Sequence, residues 1–275
     1  MKVRYLAFLS LPFLLVGCKE EPRPKPEPTH YEVVTVQPLY DEIYEMTDDV
    51  IGFPHDVSHE PDLPIQGGKN LANALENVDY KETNQNKNLP ISKDTFKLLG
   101  KNQFVMFQGH GDWREEEHSF LVTNAVMEKE STDPEYIDDM EQGRIVEYIG
   151  WPNEGITSKF IDKYCPDITG SIIYLGECFS GHDDVLANSF ISKGAVAVLG
   201  SSLQIHIHYG DLMQYQISTL LGSINPTTNN YYTLQEALNG AKELYGENDQ
   251  VHYGASAVGC EVRLFGNGNI RLAEK

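Results

Sequence analysis

Three short stretches of the chain are apolar almost without interruption: residues 104–108, 172–175 and 195–199. None of them alternates apolar with polar positions. An unbroken run of that length suits a strand covered on both faces, whereas alternation suits a strand with one wet face. Amphipathic segments stand between and after them. "TSKFIDKYC" (157–165) predicts a helix capped by Thr157 or Ser158, and "VLANSFISKG" (185–194) one stopped by Gly194. "DLMQYQISTLLG" (211–222) and "TLQEALNGAKELYG" (233–246) predict two more. Upstream, "YEVVTVQPL" (31–39) reads as a strand, "GGKNLANALENV" (67–78) as a helix opened by glycines, and "SKDTFKLLGK" (92–101) as a short helix capped by Ser92. Strand and helix alternate through the centre, which predicts an α/β fold with a mainly parallel central sheet between helical layers, a three-layer sandwich.

Two regions break this rhythm. "GFPHDVSHEPDLP" (52–64) holds three prolines and a glycine and reads as a surface loop, its His55, Asp56 and His59 included. Residues 112–155 are polar and irregular, and predict an elaborated loop with a small hairpin around Phe120, Leu121 and Val122. The end, "EVRLFGNGNIRL", predicts a terminal hairpin or strand pair.

The first residues do not belong to this core. Lys2 and Arg4 precede an apolar stretch from Tyr5 to Val16, too short to span a bilayer as a helix. It ends in "LLVGC", and small residues before Cys18 resemble a bacterial lipobox. The resemblance implies that residues 1–17 are a signal removed before Cys18 and that Cys18 carries lipid. Residues 18–30 then form a Pro-rich charged tether, and 31–275 a single domain. Lys19 after the cysteine resembles lipoproteins sorted to the outer membrane, facing the periplasm or the cell surface. The chain has 21 basic and 41 acidic residues, and losing Lys2 and Arg4 with the signal takes its charge from −20 to −22. Such a surface repels nucleic acid, so none is expected as a partner. With Cys18 assigned to lipid, Cys165, Cys178 and Cys260 remain. An odd number in an oxidising compartment leaves one free. Cys178 is the candidate, with a Cys165–Cys260 disulfide left open.

The chemistry lies where two of the apolar runs stop. The first ends in Gly109-His110-Gly111, the second in Gly176-Glu177-Cys178-Phe179-Ser180-Gly181. Ligands of open α/β sheets gather at the carboxyl ends of strands, so parallel neighbours would bring both sequences to one rim. A thiol needs a base to give thiolate at neutral pH, and attack on a carbonyl needs donors for the oxyanion. His110 supplies the base type, Cys178 the nucleophile type. Backbone N–H groups of Gly111 and Cys178 supply donors, and the flanking glycines leave room for a substrate backbone.

Strand–"GHG" followed by strand–"ECFSG" resembles the caspase-like cysteine peptidases, the group of caspases, metacaspases, clostripain, gingipains and CHAT domains. "LANSFISKGAVAVLGSS" resembles the helix and strand after their cysteine, and the likeness covers residues 50–272. It implies a cysteine endopeptidase acting on protein or peptide substrates through an acyl-enzyme, with no cofactor. His110 would be the base, Cys178 the nucleophile, and Gly111 and Cys178 the oxyanion donors. Relatives that cut after Arg or Lys carry aspartate two residues before the cysteine, where this chain has Gly176. Asp112 or Glu177 are the substitutes expected to face a basic side chain, in a pocket completed by the loop at Ser202. The competing expectation is a non-catalytic binding or assembly lipoprotein on the same fold. His206 and His208, two apart, would share a face of a strand, but no third ligand is evident and no metal site is expected. Trp113 and Trp151 are expected in the core.

Overall fold

The computed structural model describes residues 29–36, 63–81, 92–250 and 259–275. Cys18, the signal, the loop at 52–62 and all of the tether but its last two residues lie outside the described residues. The elements are β1 (Tyr31–Val36), α1 (Leu63–Ala74), β2 (Val78–Lys81), α2 (Lys93–Lys97), β3 (Gln103–Gln108), β4 (Gly111–Arg114), β5 (His118–Val126), α3 (Pro134–Glu141), β6 (Ile145–Glu147), β7 (Asn153–Thr157), α4 (Ser158–Tyr164), β8 (Ile172–Gly176), α5 (Val185–Ser192), β9 (Ala197–Ser201), α6 (Ile207–Leu221), β10 (Ile224–Asn225), β11 (Asn230–Tyr231), α7 (Leu234–Tyr245) and β12 (Val262–Gly266).

Six strands form the central sheet, in the order β12-β9-β8-β3-β1-β2. All neighbours are parallel except β12, which runs antiparallel to β9. The apolar runs are its inner strands, and both of their faces are indeed covered. Phe104 and Met106 of β3, Ile172 and Tyr174 of β8, and Leu199 of β9 pack beneath α1, α6 and α7. Val105 and Phe107, Ile173 and Leu175, and Val198 point the other way, against Phe96 of α2, Phe160 of α4 and Phe190 of α5. Each fully buried side chain of this size stabilises the fold by about 1.5–3 kcal/mol relative to exposure. An unbroken apolar run is what two covered faces demand. The chain is therefore a mixed α/β protein with a mostly parallel central sheet flanked by helices.

Residues 112–155 are more ordered than the sequence suggests. They hold α3 and most of a four-stranded antiparallel sheet, β4-β5-β7-β6. Leu121, Ile145 and Ile156 of this sheet enter the second core layer, while Asp112 and Arg114 occupy its other face, alternate with Gly111 and Trp113. Three further expectations fail, and the open question of a disulfide is answered. The segment holding His206 and His208 is the start of α6, not a strand: His206 is its N-cap, and the His206 ring nitrogen accepts the His208 N–H at 3.3 Å. The terminal segment contributes one strand, β12, and no hairpin within itself. Cys165 and Cys260 do not pair; both are free, and they belong to core layers on opposite sides of the sheet. Neither tryptophan is a core residue: both are half-buried, Trp113 packing tilted against His182 with ring centroids 4.7 Å apart.

Candidate active site

β3 and β8 are hydrogen-bonded neighbours, with Gln108 level with Gly176. His110 and Cys178 each lie two residues past these paired strand ends, in the two loops of the carboxyl rim. The loops stay in contact there: a Cβ on Gly111 would collide with the Cys178 carbonyl oxygen and lie 3.0 Å from the Glu177 Cβ. Gly111 is thus fixed by close approach of the two chains, which answers to packing as much as to a substrate. β5 anchors the turn, since Val122 N–H donates to the His110 carbonyl at 2.8 Å.

The turn after β8 has a shape that its sequence does not advertise. Phe179 has φ +57°, a left-handed conformation costing a non-glycine residue about 1–3 kcal/mol. Three ties hold it. Phe179 N–H donates to the Leu203 carbonyl at 2.9 Å, and Ser119 Oγ donates to the Phe179 carbonyl at 2.7 Å. The buried Ser180 hydroxyl accepts the Ser201 N–H at 3.0 Å and faces the carbonyls of Leu175 and Glu177 at 2.9 and 2.8 Å. Gly181 then passes so close to Gly200 that a Cβ would lie 2.7 Å from its carbonyl atoms. The Cys178 N–H, at the bend, donates to no described residue, and an unpaired N–H beside a nucleophile is what an oxyanion site requires.

Cys178 is half-buried on the α6 side of the sheet. Its sulfur receives the Ile205 N–H at 3.4 Å and lies 3.8 Å from the Ile205 carbonyl oxygen. Burial pushes the thiol up to about 12, the Ile205 contact lowers it, and Cys260, Glu177 and Asp112 raise it further. Burial also lowers the His110 imidazole from its usual value. No hydrogen bond joins His110 to Cys178 among the described residues. The resting site therefore holds a thiol and a neutral imidazole, so proton transfer has to accompany attack.

Of the expected pocket residues, Asp112 is half-buried. It accepts the Trp113 N–H at 2.8 Å, and its charge acts on both Cys178 and Tyr148. Glu177 is fully buried, and no other described residue donates to its carboxyl oxygens. Ser202 is buried at the end of β9, where its hydroxyl accepts the Glu261 N–H at 3.0 Å, a tie to the segment entering β12. Tyr148 was not foreseen. It follows the short β6, its ring meets Phe120 edge-on at 6.5 Å, and burial raises its hydroxyl, with smaller contributions from Asp112 and Cys178. Asp183 accepts from Trp113 Nε1 at 2.9 Å and lies 3.1 Å from His118 Nδ1. Among the described residues no three His, Cys, Asp or Glu side chains converge as metal ligands, and no helix is long and apolar enough to cross a membrane. No protein-family model matches this chain, and no curated protein matches it either.

Proposed function

We propose that the protein is a cysteine endopeptidase of the caspase-like class, anchored to the bacterial envelope, at the outer membrane, through lipid on Cys18. The observation that supports the reading is the parallel β3–β8 pairing, since His110 and Cys178 follow the two paired ends by two residues each, and the Cys178 N–H donates to no described residue. In the reaction, the Cys178 sulfur adds to a peptide carbonyl while its proton passes to the His110 imidazole. The oxyanion is held by the N–H groups of Cys178 and Gly111. Collapse expels the amine, which takes the proton from His110 and leaves a thioester. Water, deprotonated by His110, then attacks the thioester, releasing the acid and restoring the thiol. This chemistry calls for no cofactor.

The substrate side chain before the scissile bond is assigned as basic. Asp112 is the accessible carboxylate whose charge reaches Cys178, whereas Glu177 is sealed from solvent. A cation paired there is favoured over a neutral side chain, which would leave Asp112 unpaired. The competing reading is a non-catalytic caspase-like binding or assembly lipoprotein. The protonated, Ile205-bonded thiol is the observation that favours it. A positional-scanning peptide library separates the two. The peptidase reading expects cleavage after Arg or Lys, lost in Cys178→Ala and shifted to neutral residues in Asp112→Asn; an uncleaved library supports the binding protein. Retention of Cys18→Ala in the membrane fraction would remove the lipid anchor from the account.

A further inference from the structure

Glu177 is the ionisable residue of the nucleophile turn that the mechanism above leaves unused. It is fully buried, and no other described residue donates to either carboxyl oxygen. Serine or alanine would fill such a place without the cost of desolvating an acid, so the carboxyl is an expense of the fold. It sits one residue before Cys178, and its Cβ lies against the position of Gly111, so it underlies both proposed oxyanion donors. Its carbonyl, not its carboxyl, makes the local bonds, accepting from the Ser180 hydroxyl at 2.8 Å.

The titratable groups that feel the charge of Glu177 are a thiol and a phenol. Its charge acts on Cys178 in the same turn and on Tyr174 of β8. From β4, Asp112 bears on Cys178, and from α6, Asp211 bears on Tyr174. Tyr148 is coupled to Asp112 and Cys178, and His110, also on the rim, is lowered by its own burial. No described Lys or Arg pairs with Glu177.

We propose that Glu177 is a positioning residue that controls Cys178 by its charge: as a neutral acid it leaves the oxyanion site free for negative charge, and on ionisation it opposes both the thiolate and the oxyanion. The inference rests on the reading of Cys178 as the nucleophile. Burial supports it by raising the carboxyl from 4.5 to about 8, so the neutral form prevails at neutral pH and the ionised form in mild alkali. A unit charge one residue from the sulfur is worth roughly tenfold or more in thiolate population, even in a partly solvated site.

The test is alkylation of the full chain by iodoacetamide, read by mass spectrometry at the Cys178 peptide across pH, in wild type and Glu177→Gln. Peptidase activity is not needed for this readout. At neutral pH the two forms should react within about twofold of each other. Above the Glu177 titration the wild type should fall behind by about tenfold, with a break in its profile that Glu177→Gln lacks. Coincident profiles overturn the control and leave the nucleophile reading standing. Labelling of neither form at any pH overturns both. An infrared titration covers the case in which Glu177→Gln does not fold. It is run on Glu154→Gln, which removes the other carboxyl that burial raises. A protonated-carboxyl band at neutral pH that disappears in mild alkali is expected; its absence overturns the proposal.

Discussion

Replacing Glu177 by Gln should change how stability depends on pH, and the direction follows from burial alone. In the unfolded chain the carboxyl has its ordinary value of 4.5, and in the folded protein it is raised to about 8. Between those values the unfolded state releases a proton that the native state keeps. The native state therefore binds more protons, and stability falls as pH rises. The contribution is fully present below pH 4.5 and lost as pH rises through the folded value. Each unit costs about 1.4 kcal/mol, so the window from 4.5 to 8 spans about 5 kcal/mol at most. Glutamine keeps the shape and does not titrate. Urea unfolding of both proteins at several pH values gives the difference directly: stability of Glu177→Gln minus that of wild type should grow by about 1.4 kcal/mol per unit across the window and level off above it. Parallel stability curves would refute the reasoning, because they require Glu177 to titrate alike in both states.

Three other perturbations test the turn that carries Cys178. Ser180→Ala removes the hydroxyl shared by Ser201 N–H and two carbonyls; it should cost about 1–3 kcal/mol in thermal or urea unfolding, and an unchanged midpoint would contradict the tie. Gly181→Ala puts a methyl group 2.7 Å from the Gly200 carbonyl and should destabilise by about 1–3 kcal/mol or more, with backbone on both sides barring relief. The thiol, raised from 9.0 to about 12, should show about a thousandfold less thiolate than an unburied one. Greater intrinsic nucleophilicity returns about 30-fold of that, so alkylation of Cys178 at neutral pH should run roughly 30-fold slower than that of a small free thiol. A rate equal to or above the free thiol's would mean that the resting site already holds a thiolate.

The central sheet was legible because β3, β8 and β9 are covered on both faces and so carry apolar side chains at successive positions, Phe104 to Phe107 and Ile172 to Leu175 among them. The rim was legible for the same reason: an unbroken run shows where it stops. The antiparallel sheet was not. Only its β4–β5 hairpin around Phe120 to Val122 was foreseen; β6 and β7 are short, and β5 meets β7 only some 30 residues on. Nothing in a short polar run announces such a partner. The start of α6 was misread because His206-Ile207-His208 mimics the period of a strand, and histidine is an unusual cap. Phe179 gives no warning of its left-handed backbone, since the ties that enforce it come from Ser119 and Leu203, distant in sequence. That the Glu177 carboxyl would be fully buried was not readable either.

The dyad itself is tested most directly by covalent capture with a peptidyl electrophile carrying arginine next to its reactive group. The account predicts one adduct, on the Cys178 sulfur, formed at a rate that His110→Ala lowers by about 10²–10⁴. The buried Cys165 and Cys260 should stay unmodified. An electrophile that leaves Cys178 untouched, or that labels it equally fast without His110, would contradict the assignment of these two residues as nucleophile and base.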